Sequence, residues 1–403
     1  MLDKQAIIVG LLCLNMTPDL TALPEAQCQD FFQPSYLVQT DSVGYAPGGA
    51  VANIGLILHQ LGVPVRLIGK IGDDLFGHIL QEQLRKIAPT LADNLVIDLS
   101  QPTGVTVLSN PPEGERSSFY HPGANNTFYA SDLSREILER AHLFHFGGLS
   151  GMRSIYRGDG AELVSILARA RRAGLSTSLG FELPGLSGPT AHLDGTAILE
   201  NTLPLVDLFL PNVEALVFLL KREVYDQYAA EPQTGLIDVV APEHLEEMAN
   251  WVLARGVKAL LVNLGKDGVY LRTASESIWQ KCGRGLEHLD DRWHNRQIWA
   301  PGFVTTGTLS KTAGSAVHAG FLASVLQGAP PEQALRIAAG TSANWIETGS
   351  AIGTPGGWEH VGSQVESGWE TLPLALAPFG WVEDRAQGLW TKPTIHHPAG
   401  KRR

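Results

Sequence analysis

Short β-branched or leucine-rich runs alternate with amphipathic stretches along this chain, and that alternation restricts the fold more than any other feature. Residues 65–68 read as a strand and 74–86 as a helix; 142–146 then read as a strand and 160–173 as a helix. Three further strand-like runs, 176–179, 208–210 and 259–263, each end at Gly, Pro or Asn. This order predicts an α/β fold with a mainly parallel central sheet covered by helices on both faces. Ligands of such sheets sit beyond the carboxyl ends of the strands. The apolar run 6–14 fits a buried first strand better than a secretory leader, because Asp3 stands beside Lys4 ahead of it and no small-residue cleavage site follows.

Two segments break the rhythm. Residues 28–45 and 103–121 show short alternating strands with Pro and Gly breaks, the pattern of a small antiparallel β lid drawn from about 15–45 and 101–125. Residues 223–238 and 275–293 read as irregular surface segments. The expected organisation is a single domain over 1–370, followed by an irregular C-terminal tail over 371–403 that is rich in Pro, Trp and Gly.

With 403 residues, 44% of them hydrophobic, the chain can bury a full core. A net charge of -11 without a basic stripe argues against nucleic acid and anionic membranes as partners, since both demand clustered Lys and Arg. No apolar run approaches the roughly eighteen residues of a membrane span. The three cysteines Cys13, Cys28 and Cys282 show no CxxC spacing, which suggests neither a disulfide framework nor a zinc site and fits a cytoplasmic location.

Chemistry concentrates at two helix entrances. Gly48 and Gly49 precede a helix that carries Asn53; glycine lets a ligand approach the backbone, and Asn53 offers a donor and an acceptor to a hydroxylated ligand. In the second stretch, 312–322, Ala313 and Gly314 open a helix whose free N–H groups suit the oxygens of a phosphate. Lys311 adds a positive charge there or is a solvated loop lysine, and His318 reads as a helix-surface or core residue. Gly265 and Gly268 bracket polar turn residues between apolar runs. Asn125 and Asn126 either contact hydroxyls or cap a helix.

Taken together, 48–53 and 312–322, with the spacing from Asn53 to Gly62 to Gly72, resemble the two signatures of the ribokinase-like (PfkB) carbohydrate kinases. The resemblance implies a three-layer ribokinase-like sandwich, phosphoryl transfer from ATP with Mg2+ to a sugar or nucleoside hydroxyl, and a homodimer paired through lid edges. It places substrate contacts at Asn15, Gly48, Gly49, Asn53 and Asn125, and nucleotide contacts at Asn212, Glu214, Gly265, Gly268 and Lys311. Aligned on 319–322, the family's catalytic aspartate falls at Ser315, with Ala313 and Gly314 in the anion loop. The first strand's aspartate is replaced by Asn15. The glutamate of the family's Asn-x-x-Glu element is replaced by Ala215, with Glu214 one residue early. No metal-ligand set is assigned. Serine has no useful basicity near neutral pH. The expectation is therefore a kinase homologue whose transfer is weak or lost, or alternatively a non-catalytic sugar- and nucleotide-binding regulatory protein. A third option is a working kinase in which Asp19, Glu214 or a loop residue takes a new role.

Overall fold

A computed structural model of the protein describes residues 4–20, 39–109, 117–183, 193–230, 240–307, 312–348 and 357–392. The strands in chain order are β1 (Ala6–Gly10), β2 (Cys13–Pro18), β3 (Val43–Gly48), β4 (Val65–Ile68), β5 (Lys70–Gly72), β6 (Val96–Asp98), β7 (Val105–Ser109) and β8 (Ser117–His121). They continue with β9 (Leu143–Gly147), β10 (Ser176–Phe181), β11 (Leu208–Pro211), β12 (Ala259–Asn263), β13 (Val269–Thr273), β14 (Gln297–Ala300), β15 (Val382–Asp384) and β16 (Leu389–Thr391). Ten of them form one sheet in the order β15-β16-β14-β13-β12-β11-β10-β9-β1-β4. From β4 to β12 the pairing is parallel, and from β12 to β15 antiparallel.

The parallel strands are apolar almost throughout because both of their faces are covered. On one face lie α1 (Gly49–Gln60) and α2 (Leu75–Ile87); on the other lie α3 (Ala161–Arg172), α4 (Val213–Leu220) and α5 (Pro242–Leu253). Three more helices complete the first face: α6 (Thr312–Gln327), α7 (Pro331–Thr348) and α8 (Gly357–Glu366). Residue alternation along β1 shows the division, with Ile8 facing the first core and Ile7 and Val9 the second. α6 is buried nearly all round, as a helix sandwiched between the sheet, α1 and α7 must be.

The small sheet has the order β3-β2-β7-β8 and is mixed rather than antiparallel. Its outer pairs are antiparallel, but β2 and β7 run parallel, because both rise from the main body in the same direction and are joined by a long excursion through the core. Asp74 fastens the foot of this lid: its carboxylate caps α2 by accepting from Gly77 N at 2.8 Å and accepts from Thr103 N at 2.8 Å and Oγ1 at 2.7 Å. Burial alone would raise this carboxyl, but those hydrogen bonds pull it below the usual range.

The expected irregular tail is corrected over 371–392. β16 pairs with β14, Trp299 opposite Trp390, and Trp381 packs edge-on at 5.8 Å from Trp299 and 6.0 Å from Tyr270. Pro and Gly suggest loose chain here, whereas the tryptophans bury enough apolar area to extend the sheet. Residues 393–403 lie outside the described residues. The segment 275–293 is anchored too, by buried Trp279 and Trp293. Of 223–238, residues through 230 continue a helix and the rest lies outside the described residues.

Candidate active site

The carboxyl ends of β1, β9, β10, β11 and β12 share one rim, and the entrances of α1 and α6 meet it. At α1, Gly49 has φ +82°, and a Cβ there would stand 2.4 Å from the Leu11 carbonyl, so only glycine lets the helix start this close to the end of β1. Val51 N then donates to Leu11 O at 3.1 Å. Gly48 leaves room for Asn15, whose Oδ1 lies 2.2 Å from where a Cβ would be. Asn15 and Asn53 are both half-buried. The entrance of α1 and the lid strand β2 thus bring Asn15, Gly48 and Gly49 together.

Asn125 is a correction. It is fully buried; its Nδ2 donates to Leu12 O and Pro122 O, both at 2.9 Å, and its Oδ1 accepts from Leu12 N at 3.0 Å. Both amide donors are spent on backbone, which pins the end of the lid to the turn after β1. Residues that no motif contains lie beside Asn15 on the lid strands. Cys13, two residues before Asn15 on the same face of β2, places Sγ 3.3 Å from Thr106 Oγ1, and Thr106 pairs in register with Asn15. Burial pushes the Cys13 thiol up to about 11, so it remains a neutral thiol. Tyr120 Oη on β8 donates to Gly151 O at 3.0 Å and joins the lid to the segment after β9. Period-two alternation along β2 and β7 is the signal that could have found Cys13 and Thr106.

Across the rim, α6 begins over Asn263: a Cβ on Gly314 would lie 3.2 Å from Asn263 Nδ2. In the first turn Ala313 and Ser315 are buried, while Gly314 is half-buried. Asn212 bridges to Asn263, caps α4 by accepting from Ala215 N at 2.9 Å, and donates to Glu214 Oε2 at 3.2 Å. Its N–H donates to Phe181 O at 3.2 Å, which sets Glu182, the exposed acid just past β10, beside it. Lys311 lies outside the described residues.

The turn over 265–268 is a short 3-10 segment between antiparallel β12 and β13. Gly268 has φ +91°, and a Cβ there would meet Ala300 O at 2.0 Å. Gly302 packs on Lys266, and the chain continues to Thr306, whose N–H and Oγ1 donate to the Glu347 carboxylate at 2.5 and 2.8 Å. The end of α7 therefore meets the segment after β14 through Ile346 and Glu347, whereas Thr341, Asn344 and Trp345 turn toward the end of α1 and α8.

Below the rim two histidines face each other. His145 on β9 and His318 on α6 have ring centroids 6.1 Å apart, and His145 Nδ1 lies 2.9 Å from Ser178 Oγ. Burial lowers His318 to about 4; burial, and then His318 itself, lowers His145 well below the ordinary imidazole value. Both rings are neutral near pH 7. Among the described residues no group of three or more His, Cys, Asp or Glu could hold a metal by itself.

A profile of the pfkB family carbohydrate kinases matches residues 19–355. The chain belongs to that family. A probable fructokinase from Arabidopsis thaliana is 28% identical over 143 residues, which cover 35% of this chain and 40% of the relative. The chain thus aligns with less than half the length of such curated relatives. Among solved structures, the ribokinase of Arabidopsis thaliana complexed with ribose and ATP gives a TM-score of 0.65 at 18% identity, covering 91% of this chain and 99% of that one. The fructokinase of Xylella fastidiosa with bound ATP gives 0.65 at 19% identity, covering 91% and 99%. At such identities these two likenesses establish the fold alone, a ribokinase-type sandwich with a separate small sheet. Among the described residues no helix is long and apolar enough to cross a membrane.

Proposed function

We propose that this pfkB family protein binds a neutral polyhydroxy ligand beneath its lid and ATP along the β12–β13 turn, and that phosphoryl transfer between them is weak or lost. One observation carries the reading: the two helix entrances converge on one rim, where Asn15, Ala215 and Ser315 are uncharged and the carboxylates are those of Glu214 and Glu182. Asn15, Asn53 and the Gly48–Gly49 backbone hold the hydroxylated ligand. The phosphate chain rests on the N–H groups of Ala313 and Gly314 at the positive end of α6. Gly265 and Gly268 border the nucleotide.

Magnesium, which accompanies ATP, accepts one or two carboxylates and completes its shell with water and phosphate oxygens. Glu214, steadied by Asn212, and Glu182 are oxygen donors of that kind at this rim, so the residues fit the ion. When bound, it supplies charge neutralisation between the phosphates. Positioning and electrostatic stabilisation carry most of the rate of such transfers, so a site that keeps the glycine entrances but lacks a base retains binding more readily than turnover.

Calorimetric titration with ATP and Mg2+, alone and with a panel of sugars and nucleosides, followed by an ADP-release assay on each hit, tests this. Binding with at most slow turnover is expected. Fast turnover would overturn the loss of transfer, and absence of both nucleotide and polyol binding would overturn the whole reading. The same three uncharged positions support the second reading, a binding protein without catalysis, which predicts ligand-dependent melting shifts and no ADP release at all. The exposed lid residues Val43, Tyr45 and Phe119 support pairing of two copies through the lid, which light scattering would reveal as twice the monomer mass. The low cysteine content supports a cytoplasmic setting.

A further inference from the structure

The two edges of the lid are held to the body in unequal ways. On one edge β3 runs straight into α1, so chain continuity through Gly48 and Gly49 fixes it. On the other edge all five residues of β8 are exposed, and apolar burial therefore does little to hold that strand down. The Tyr120 hydroxyl supplies a bond across this edge by donating to Gly151 O at 3.0 Å. Gly151 closes the 3-10 turn Leu149–Gly151 just past β9.

The turn is shaped to receive the phenol. A Cβ on Gly151 would stand 3.3 Å from Tyr120 Cε1, 3.4 Å from its Oη and 2.2 Å from Leu11 Cδ1, so the lack of a side chain lets the ring lie on this turn. Beyond β8 the chain is stitched to the same segment of the body. Asn126 Oδ1 accepts from Arg153 N, the first N–H of the short helix Arg153–Tyr156, and Phe128 O accepts from Ser154 Oγ, both at 2.8 Å. Those two bonds lie outside the lid sheet, whereas Tyr120 acts on one of its strands. Tyr120 stands in register with Thr106 on β7, and Thr106 with Asn15 on β2. Residues in register share a face of a sheet, and this face looks toward the rim because Tyr120 reaches Gly151 from it. A tilt of β8 away from the body is therefore transmitted through the ladder to Asn15.

We propose that Tyr120 is a positioning residue, which through Gly151 O holds the weakly packed edge of the lid against the body and so keeps Thr106 and Asn15 at the α1 entrance. The effect on a ligand rests on the proposed sugar site; the fastening of the lid edge does not. Because Tyr120 acts through the lid and not on the ligand, its loss speeds the release of a bound sugar and leaves ATP binding across the rim unaltered.

Tyr120→Phe is the decisive variant, since it keeps the ring on the Gly151 turn and removes only the donor. Amide hydrogen exchange of the full-length protein at pH 7.5, read by mass spectrometry over 103–109 and 117–121, needs no ligand. Exchange there should quicken about fivefold, the worth of one hydrogen bond, with the main sheet unchanged. Stopped-flow binding of D-fructose and D-ribose should show dissociation about fivefold faster at an unchanged association rate, and calorimetry should show an unchanged ATP affinity. Asn126→Ala, which removes a bond of the same seam outside the lid sheet, should leave lid exchange at the wild-type rate. Unchanged exchange in Tyr120→Phe, or an equal rise in Asn126→Ala, overturns the fastening. Faster exchange with unaltered sugar dissociation overturns the positioning role. If neither sugar binds the wild-type protein, the sugar-site reading fails, and the fastening is decided by the exchange rates alone.

Discussion

The two ends of the central sheet treat charge in opposite ways. At the amino ends of β10, β11 and β12, Asp207 and Lys258 form an ion pair at 2.8 Å with side chains 1% and 4% exposed; Thr177 N donates to the same carboxylate at 2.9 Å, and Arg171 approaches it at 3.5 Å. At the carboxyl ends, where ligands of such folds bind, the comparable positions hold Asn15, Asn212, Ser315 and two neutral histidines. The amino end thus buries a charged pair that locks strands together, whereas at the carboxyl end the carboxylates Glu214 and Glu182 are respectively half-buried and exposed and the buried polar side chains of Ser315, His145 and His318 are neutral.

The sharpest attack on this contrast is at the amino end. Asp207→Ala strands Lys258 in the interior, and urea unfolding followed by tryptophan fluorescence should show a loss of about 3–5 kcal/mol. A loss below about 1 kcal/mol would mean that the pair is not what holds these strands, and the contrast would collapse. The converse change puts a carboxylate back at the rim. Ser315→Asp should raise ADP release in the presence of a bound sugar by about 10² to 10⁴, the usual worth of general-base assistance. No increase would show that the site lacks more than a base.

Acid tests the buried neutral histidines by titration. A histidine whose folded value lies near 4 binds a proton in the unfolded chain first, from about 6.5 downward. Its contribution is therefore complete above pH 6.5 and lost as pH falls toward 4, about 3 kcal/mol for His318. Melting temperature followed from pH 7.5 to 4.5 should drop, and His318→Gln should flatten the curve. Asp98, held at about 2 despite burial by hydrogen bonds from Thr127 and Ser100 and by Lys70, yields its share only below about pH 4, outside that window. A flat wild-type curve would remove the buried neutral pair from the account. The smallest effect belongs to Asn53→Ala, which should weaken sugar binding about fivefold, roughly 1 kcal/mol, and leave ATP binding alone. Unchanged sugar affinity would move the hydroxyl contacts away from α1.

Legibility in the chain followed the range over which each feature is encoded. β9 through β12, α1 and α6 come from local periodicity and glycine punctuation, and they appear close to where the pattern puts them. The parallel β2–β7 pair was not readable, because strand direction within the lid depends on where roughly ninety intervening residues carry the chain back. The terminal β15–β16 hairpin looked loose because it lies in a tail rich in Pro, Trp and Gly, and the packing of Trp381 on Trp299 and Tyr270 makes it part of the sheet. Asn125 illustrates the same limit at the site. Its type suits a sugar contact, yet three hydrogen bonds to backbone more than a hundred residues away or in its own turn consume its donors.

The sequence alone determined the class of fold and the two glycine helix entrances, since each is a matter of local pattern. Tertiary structure alone decided which of the candidate residues share the rim, that Asn125 serves the backbone, and that the rings of His145 and His318, 173 positions apart, come within 6.1 Å of each other. Their meeting is set by how a sheet and a helix pack across the whole core, and no local pattern encodes such a meeting.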